Sequence, residues 1–185
     1  MKRILTVAVL LLVGVCWTPL QWAQSPTAVP AAELRKLDLW VGDWTLVGTA
    51  KDTATESEYK VDWQMQGRWI LGGRFVEVRS TWKGKGKEST WLEILSYDPV
   101  RRIHTYSGFA SDGTTWVATV KFTEGTFVET ETDTGPDGKT ATSRNTWNVS
   151  PDGMSISGKE EREQDGVRWT AFTVKGTKTK PPSGN

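Results

Sequence analysis

Short turns marked by glycine recur at even intervals through the second half of this chain. Asp112-Gly113, Glu124-Gly125, Asp137-Gly138, Asp152-Gly153 and Asp165-Gly166 follow one another every 12 to 15 residues. An Asp-Gly pair between strand-like runs is a strong hairpin signal, because glycine accepts the positive φ that tight hairpin turns need. Upstream, "KGKGK" at 83–87 and "YDPVRR" at 97–102 serve the same purpose. The runs between turns are rich in Thr, Val, Trp, Tyr and Phe, which suit a pleated surface.

The strand runs expected from this punctuation cover about residues 44–51, 57–66, 68–71 bent into 73–82, 88–96, 102–110, 114–123, 126–134, 140–150, 154–164 and 167–178. Most are near nine residues, or about 30 Å at about 3.3 Å per residue. Long strands joined in sequence by tight turns make a meander. A Greek-key sandwich needs long connections that cross between sheets, and none is visible. An open meander would leave its two outermost strands unpaired, and closing it into a ring removes both edges. The expected fold is all-β: an antiparallel up-and-down (meander) β-barrel of about eight to ten strands, with a short N-terminal helix.

Alternation says which side faces in. In "YKVDWQMQ", Tyr59, Val61, Trp63 and Met65 share one face, and Lys60, Asp62, Gln64 and Gln66 the other. "TWVATVKF" places Trp116, Ala118, Val120 and Phe122 together. "RFVEVRST" carries apolar and charged residues on both faces, and "SGKEEREQ" is charged almost throughout. Two readings of these mixed strands stand side by side: a partly wet cavity, or ordinary irregularity at a barrel end.

The first residues have a different character. Lys2 and Arg3 precede an apolar run from Ile4 to Trp17. That run is short of the roughly 20 residues that span a bilayer and has the length and flank of a secretory signal. The expected organisation is a signal peptide over 1–23, cut after Ala23, a flexible lead-in over 24–32, a barrel domain over 33–178 and a disordered tail over 179–185. An uncleaved anchor is the alternative. Cys16, the only cysteine, lies inside the leader behind Val15, where lipid-modified leaders want a small residue. The exported chain would thus have no thiol for disulfide, zinc–thiolate or nucleophile chemistry. Losing Lys2 and Arg3 leaves 21 cationic against 22 acidic side chains, a net charge of −1. Nucleic-acid surfaces need a strong basic excess, so no nucleic-acid partner is expected. No membrane span is expected after cleavage. The location implied is periplasmic or secreted.

The helical stretch "AAELRKLDL" carries Leu34, Leu37 and Trp40 toward one face and leads into "VGDW". Gly42 lets the backbone turn in tightly without a Cβ penalty, and Trp44 is then expected to lie across the barrel floor. If the last strand pairs antiparallel with the first, Lys175 is placed to cover Trp44 as a cation over a ring.

These residues carry a family resemblance. Gly42-Asp43-Trp44 after a short helix, at the head of a meander, resembles the glycine–any–tryptophan opening of lipocalins and the wider calycin superfamily. A closer resemblance is to a family of bacterial exported lipocalin-like proteins, through Leu34 with Leu37, Gly42-Asp43-Trp44, Gly72-Gly73-Arg74-Phe75 and Tyr97-Asp98-Pro99. It spans about residues 33–178. The resemblance implies an exported β-barrel and supplies no catalytic residues. The chain departs from that family in its wealth of tryptophan and in the strand "RIHTYSGF".

Candidate binding residues are Trp63, Met65, Glu77, Arg79, Trp91, His104, Tyr106 and Trp116. Flat indoles on separate strands favour apolar or sugar contacts, and the alternative is that they fill the barrel and its outer helix contact. Glu77 and Arg79 share a face and could orient a polar head group inside, or form an exterior charged stripe. His104 is the only histidine, and a single histidine without thiols is a poor metal site. With Tyr106 two residues on, it offers a small polar cluster. No G-x-S-x-G elbow, phosphate loop or H-E-x-x-H motif occurs. No cofactor or metal is expected. The function expected is binding of a small apolar or amphipathic molecule. The alternatives are a hydrolase or isomerase that uses His104, Tyr106 or Glu77, and a carbohydrate- or envelope-binding module.

Overall fold

The computed structural model describes residues 31–180. The expected leader with Cys16, nearly all of the lead-in and the last five residues lie outside them. Ten strands follow a five-residue helix, α1 (Ala31–Arg35), and a 3-10 turn, Lys36–Trp40. They are β1 (Gly42–Ala50), β2 (Tyr59–Ile70), β3 (Phe75–Gly84), β4 (Lys87–Asp98), β5 (Ile103–Ala110), β6 (Thr115–Thr123), β7 (Thr126–Thr134), β8 (Thr140–Val149), β9 (Ser155–Gln164) and β10 (Val167–Lys180). Each strand pairs antiparallel with its neighbours in sequence, and β10 closes the ring onto β1. The fold is the expected meander barrel, with no open edge.

The turns obey the glycine logic. Gly113, Gly125, Gly138, Gly153 and Gly166 all have positive φ. Asp165 joins Gly166 at φ 52°, so both central residues of that two-residue hairpin are positive, as a type I′ turn requires. One boundary differs from expectation. Residues 68–71 are not the bent start of β3; 68–70 complete β2, whose pairing with β3 runs without interruption from Val61 to Ile70, and Leu71 falls in the turn. Gly67 keeps the strand intact while the 3-10 turn crosses it, because a Cβ there would meet the Trp40 carbonyl oxygen at 1.8 Å. The chain reverses instead at Leu71, Gly72 and Gly73, all at positive φ.

A continuous apolar core fills the lower half of the ring. Trp44, Leu46, Val61, Trp63, Met65, Val76 and Val78 on β1–β3 meet Leu37 and Trp40 from the helical segment and Phe127 and Trp147 from the far wall. Phe127 and Trp147 are stacked with centroids 5.9 Å apart, and Trp40 meets Phe127 edge-on at 5.3 Å. The helical segment is thus a stopper for one mouth. β10 changes face at Ala171, where its register with β9 slips between Thr170 and Phe172. That bulge puts Trp169 and Phe172 both on the inner side.

Candidate functional site

The two mouths of the barrel differ. At the closed mouth Trp44 is buried and its Nε1 donates to the Leu39 carbonyl at 3.2 Å. Gly42, at φ 111°, makes the turn into β1. The cation over the Trp44 ring is Lys178, with Nζ 4.9 Å from the centroid. Lys175 is not that cation. β10 runs on to Lys180, so Trp44 pairs with Lys178 while Lys175 pairs with Val47 and faces outward, exposed. Burial lowers the pKa of the Lys178 ammonium.

His104 lies in this closed half. Its Nε2 is 2.9 Å from the Glu33 carbonyl oxygen, which can only accept, so Nε2 carries the proton. The Glu33 carboxylate is 3.6 Å away, and Tyr97 and Phe122 pack on the ring at 4.9 and 4.8 Å. Burial lowers the His104 pKa, with the Glu33 carbonyl acting the other way. His104 ties the helical stopper to β5.

Glu77 and Arg79 do not enter the barrel. Their neighbours Val76, Val78 and Ser80 point inward, so the pleat sends them out. Arg68 and Arg79 each donate to Glu77 Oε1 at 2.9 Å on the outer surface. Burial beneath the two arginine stems works to raise the Glu77 pKa, but the guanidiniums outweigh it and hold it low. This placement is that of the exterior charged stripe.

The open mouth carries the cavity, about 430 Å³, reaching inward from the loops after β1 and β5. Of the expected residues, Trp63, Trp91 and Trp116 line it. Met65 and Tyr106 lie deeper and line a smaller void of about 30 Å³ that shares Trp63 and Glu93 with the cavity above. Trp82 and Phe172 complete the aromatic wall: Trp63 sits 5.6 Å from Trp82, 5.5 Å from Trp91 and 5.9 Å from Phe172 between centroids. The Nε1 of Trp63 is buried and finds no acceptor among the described residues. Larger depressions of about 730 and 810 Å³ lie outside the closed mouth beside the helix. None of the buried polar atoms without a partner belongs to a residue lining either one.

Among and across from the indoles stands a set of inward carboxyls: Glu93 on β4, two residues from Trp91, then Glu129, Glu131 and Asp133 on β7, and Glu160 on β9. Among the described residues one cation forms ion pairs with them. Arg162 bonds Asp133 at 2.7 Å and Glu160 at 3.0 Å. Tyr106 donates to Glu131, with Glu129 3.4 Å away, and Trp147 Nε1 donates to Glu129 at 3.0 Å. Ionised carboxyls so close in a poorly hydrated space repel one another and lose solvation, so they hold protons longer. Burial, then the Glu129 charge, pushes Glu93 up to about 8, against the pull of the Trp116 and Trp91 side chains. Burial brings Glu129 to about 7. Glu131 is raised well above the carboxylate range by burial and by Asp133 beside it. Burial likewise raises Glu160, although Arg162 opposes it. The acids behave as one coupled array.

Sequence reasoning missed Trp82, Phe172 and the whole carboxyl set. β7 held a usable signal: in "TFVETETDT" Phe127, Glu129, Glu131 and Asp133 fall on one face, so the buried phenylalanine assigns the acids inward. β9 held none, since "GKEEREQ" is charged on both faces. Among the described residues no group of three His, Cys, Asp or Glu could hold a metal ion, and no helix is long and apolar enough to cross a membrane.

Among solved structures, the chain is similar to the crystal structure of Rv2717c from M. tuberculosis. The TM-score is 0.61 at 16% sequence identity, over 82% of this chain and 100% of that one. At that identity the likeness speaks for the barrel fold alone. No protein-family model matches the chain, and no curated protein does.

Proposed function

We propose that this protein is an exported, lipocalin-like carrier that takes a small apolar or amphipathic molecule through the open mouth. The observation that carries this reading is the cavity of about 430 Å³ walled by Trp63, Trp82, Trp91, Trp116 and Phe172 on five different strands. It falls within the about 300–1,000 Å³ of small-molecule sites. Indoles present broad faces and lose little conformational freedom on binding. The opposite mouth is stoppered by Leu37, Trp40 and Trp44, so a molecule enters and leaves by one route. The leader-like start supports export.

The neutral fluorophore N-phenyl-1-naphthylamine tests the binding half. It is expected to bind saturably with one site per chain, quench the tryptophan emission and be displaced by components of a lipid extract. Trp91→Ala and Trp116→Ala should weaken it several-fold while urea unfolding stays a single cooperative transition. No saturable probe binding, together with nothing carried from the extract by mass spectrometry, would remove the carrier reading. N-terminal sequencing of the protein from fractionated cells tests export, with Gln24 the expected first residue.

A further inference from the structure

The cavity wall interleaves aromatic faces with carboxyls, Trp91 beside Glu93, Trp116 paired with Asp133 and Phe172 with Glu160, and that mixture selects a charge type. Indole faces carry negative quadrupole potential and attract cations within about 6 Å of the ring. Trp63, Trp82 and Trp91 enclose one corner, with centroids 5.5 to 6.3 Å apart. Glu93 stands in the same strand as Trp91, next to it on the inner face. The inner carboxyls outnumber the inner cation: Arg162 is already committed to Asp133 and Glu160. Glu93, Glu129 and Glu131 have no cationic partner among the described ion pairs. An anionic ligand would meet repulsion here, and a neutral one would leave the array unanswered.

A second, independent feature concerns hydrogen bonding. Trp63 is 6% exposed, its ring lines both the mouth cavity and the deeper void, and its buried Nε1–H has no acceptor among the described residues. A buried donor left unmade costs about 1–3 kcal/mol, and a ligand oxygen beside the ring would recover it.

Resting on the carrier reading above, we propose that the open mouth selects an organic cation: an ammonium-type head with an apolar body and a hydrogen-bond acceptor for the Trp63 indole. The positive head lies against the Trp63, Trp82 and Trp91 faces with Glu93 as its counter-ion. When the head enters, the Glu93 carboxylic acid releases its proton to solvent and the carboxylate remains, so charge is conserved inside the barrel. Glu93 is faced by Tyr106 on β5, by Glu129, Glu131 and Asp133 on β7, and by Glu160 and Arg162 on β9, while Lys51 and Asp52 after β1, Tyr59 on β2 and Asp112 after β5 line the same cavity. β3 contributes Ser80 and Trp82, which do not titrate. His104, on β5 below, is engaged with Glu33. Binding is therefore linked to proton loss from the array, and affinity for a permanent cation rises with pH.

The probe is benzyldimethyl(2-hydroxyethyl)ammonium, whose charge does not titrate. Its neutral carbon isostere is 3,3-dimethyl-4-phenylbutan-1-ol. By calorimetry the cation is expected to bind at least about tenfold tighter than the alcohol at alkaline pH. Its advantage should shrink about tenfold per pH unit for each proton linked, between about pH 8.5 and 6. Glu93→Gln should flatten that pH dependence, and Trp63→Phe should erase the preference for the hydroxylated cation over benzyltrimethylammonium. Should Glu93→Gln fail to fold, the wild-type pH series decides alone. If the alcohol or N-phenyl-1-naphthylamine binds as tightly as the cation at every pH, the cation proposal falls and the carrier reading survives. If none of the four compounds binds, the cation proposal falls, and the carrier reading falls with it when the lipid extract also yields nothing.

Discussion

At the residue scale, the closed mouth turns on one indole. Trp44 buries its ring, satisfies its N–H on Leu39 and lies beneath a lysine. Truncating it removes a large buried side chain, so Trp44→Ala should cost about 3–5 kcal/mol in urea unfolding. The cation above it adds about 0.5–2 kcal/mol. A double-mutant cycle of Trp44→Phe with Lys178→Met should show coupling, and the same cycle with Lys175→Met should show none. Coupling to Lys175 and not to Lys178 would mean the β1–β10 register is wrong. The role of Trp44 was legible in the sequence because Gly42, the short helix and the following alternation all point to a strand start. The identity of its lysine was not. Pairing partners depend on where β10 ends, and "KGTKTK" offers cations at 175, 178 and 180 with nothing local to choose among them.

At the scale of elements, the barrel makes room for its indoles with glycines on the neighbouring strand. Gly108 pairs with Trp116 and Gly158 with Trp147. A Cβ at Gly108 would meet the Trp116 ring at 1.9 Å, and one at Gly158 the Trp147 ring at 2.2 Å. Each tryptophan lies flat across the strand beside it, which only a residue without a side chain allows. Gly158→Ala should therefore destabilise by about 1–3 kcal/mol, the usual cost of overpacking a filled core. Gly108→Ala should act differently, because Trp116 borders the open cavity and can swing. It should cost less stability and instead weaken probe binding at the mouth. Equal stability losses with unchanged probe binding would show that Trp116 does not shape the cavity. The strands themselves were readable from turn spacing and alternation, yet these pairs were not. A glycine inside a strand reads as a weak point until its cross-strand neighbour is known, and that neighbour is fixed by register over the whole meander.

At the scale of the whole molecule, the barrel stores carboxyls where water is scarce, and stability must answer to pH. A glutamate ionises near 4.5 in the unfolded chain, while burial pushes Glu93 up to about 8 and Glu129 up to about 7 in the native one. Between those values the unfolded chain has shed protons that the native barrel keeps, so stability falls as pH rises. The contribution is complete below about 4.5, and is lost by about 8, when the native acids ionise as well. His104 works in the other direction. Its native pKa lies below 6.5, so its contribution is present above 6.5 and lost as pH falls through the native value. The exterior Glu77 and Asp52, both held low, act only in acid. From about pH 6.5 to 8 the histidine is silent and the buried carboxyls decide the outcome. The urea midpoint should therefore drop steadily across that window, with an unchanged slope against denaturant. Glu93→Gln, which cannot ionise, should flatten the decline and raise the midpoint at pH 8. A midpoint that climbs over the same window would mean that water reaches the array and its acids are already charged. The open mouth would then offer a hydrated anionic funnel in place of a dry, proton-holding one.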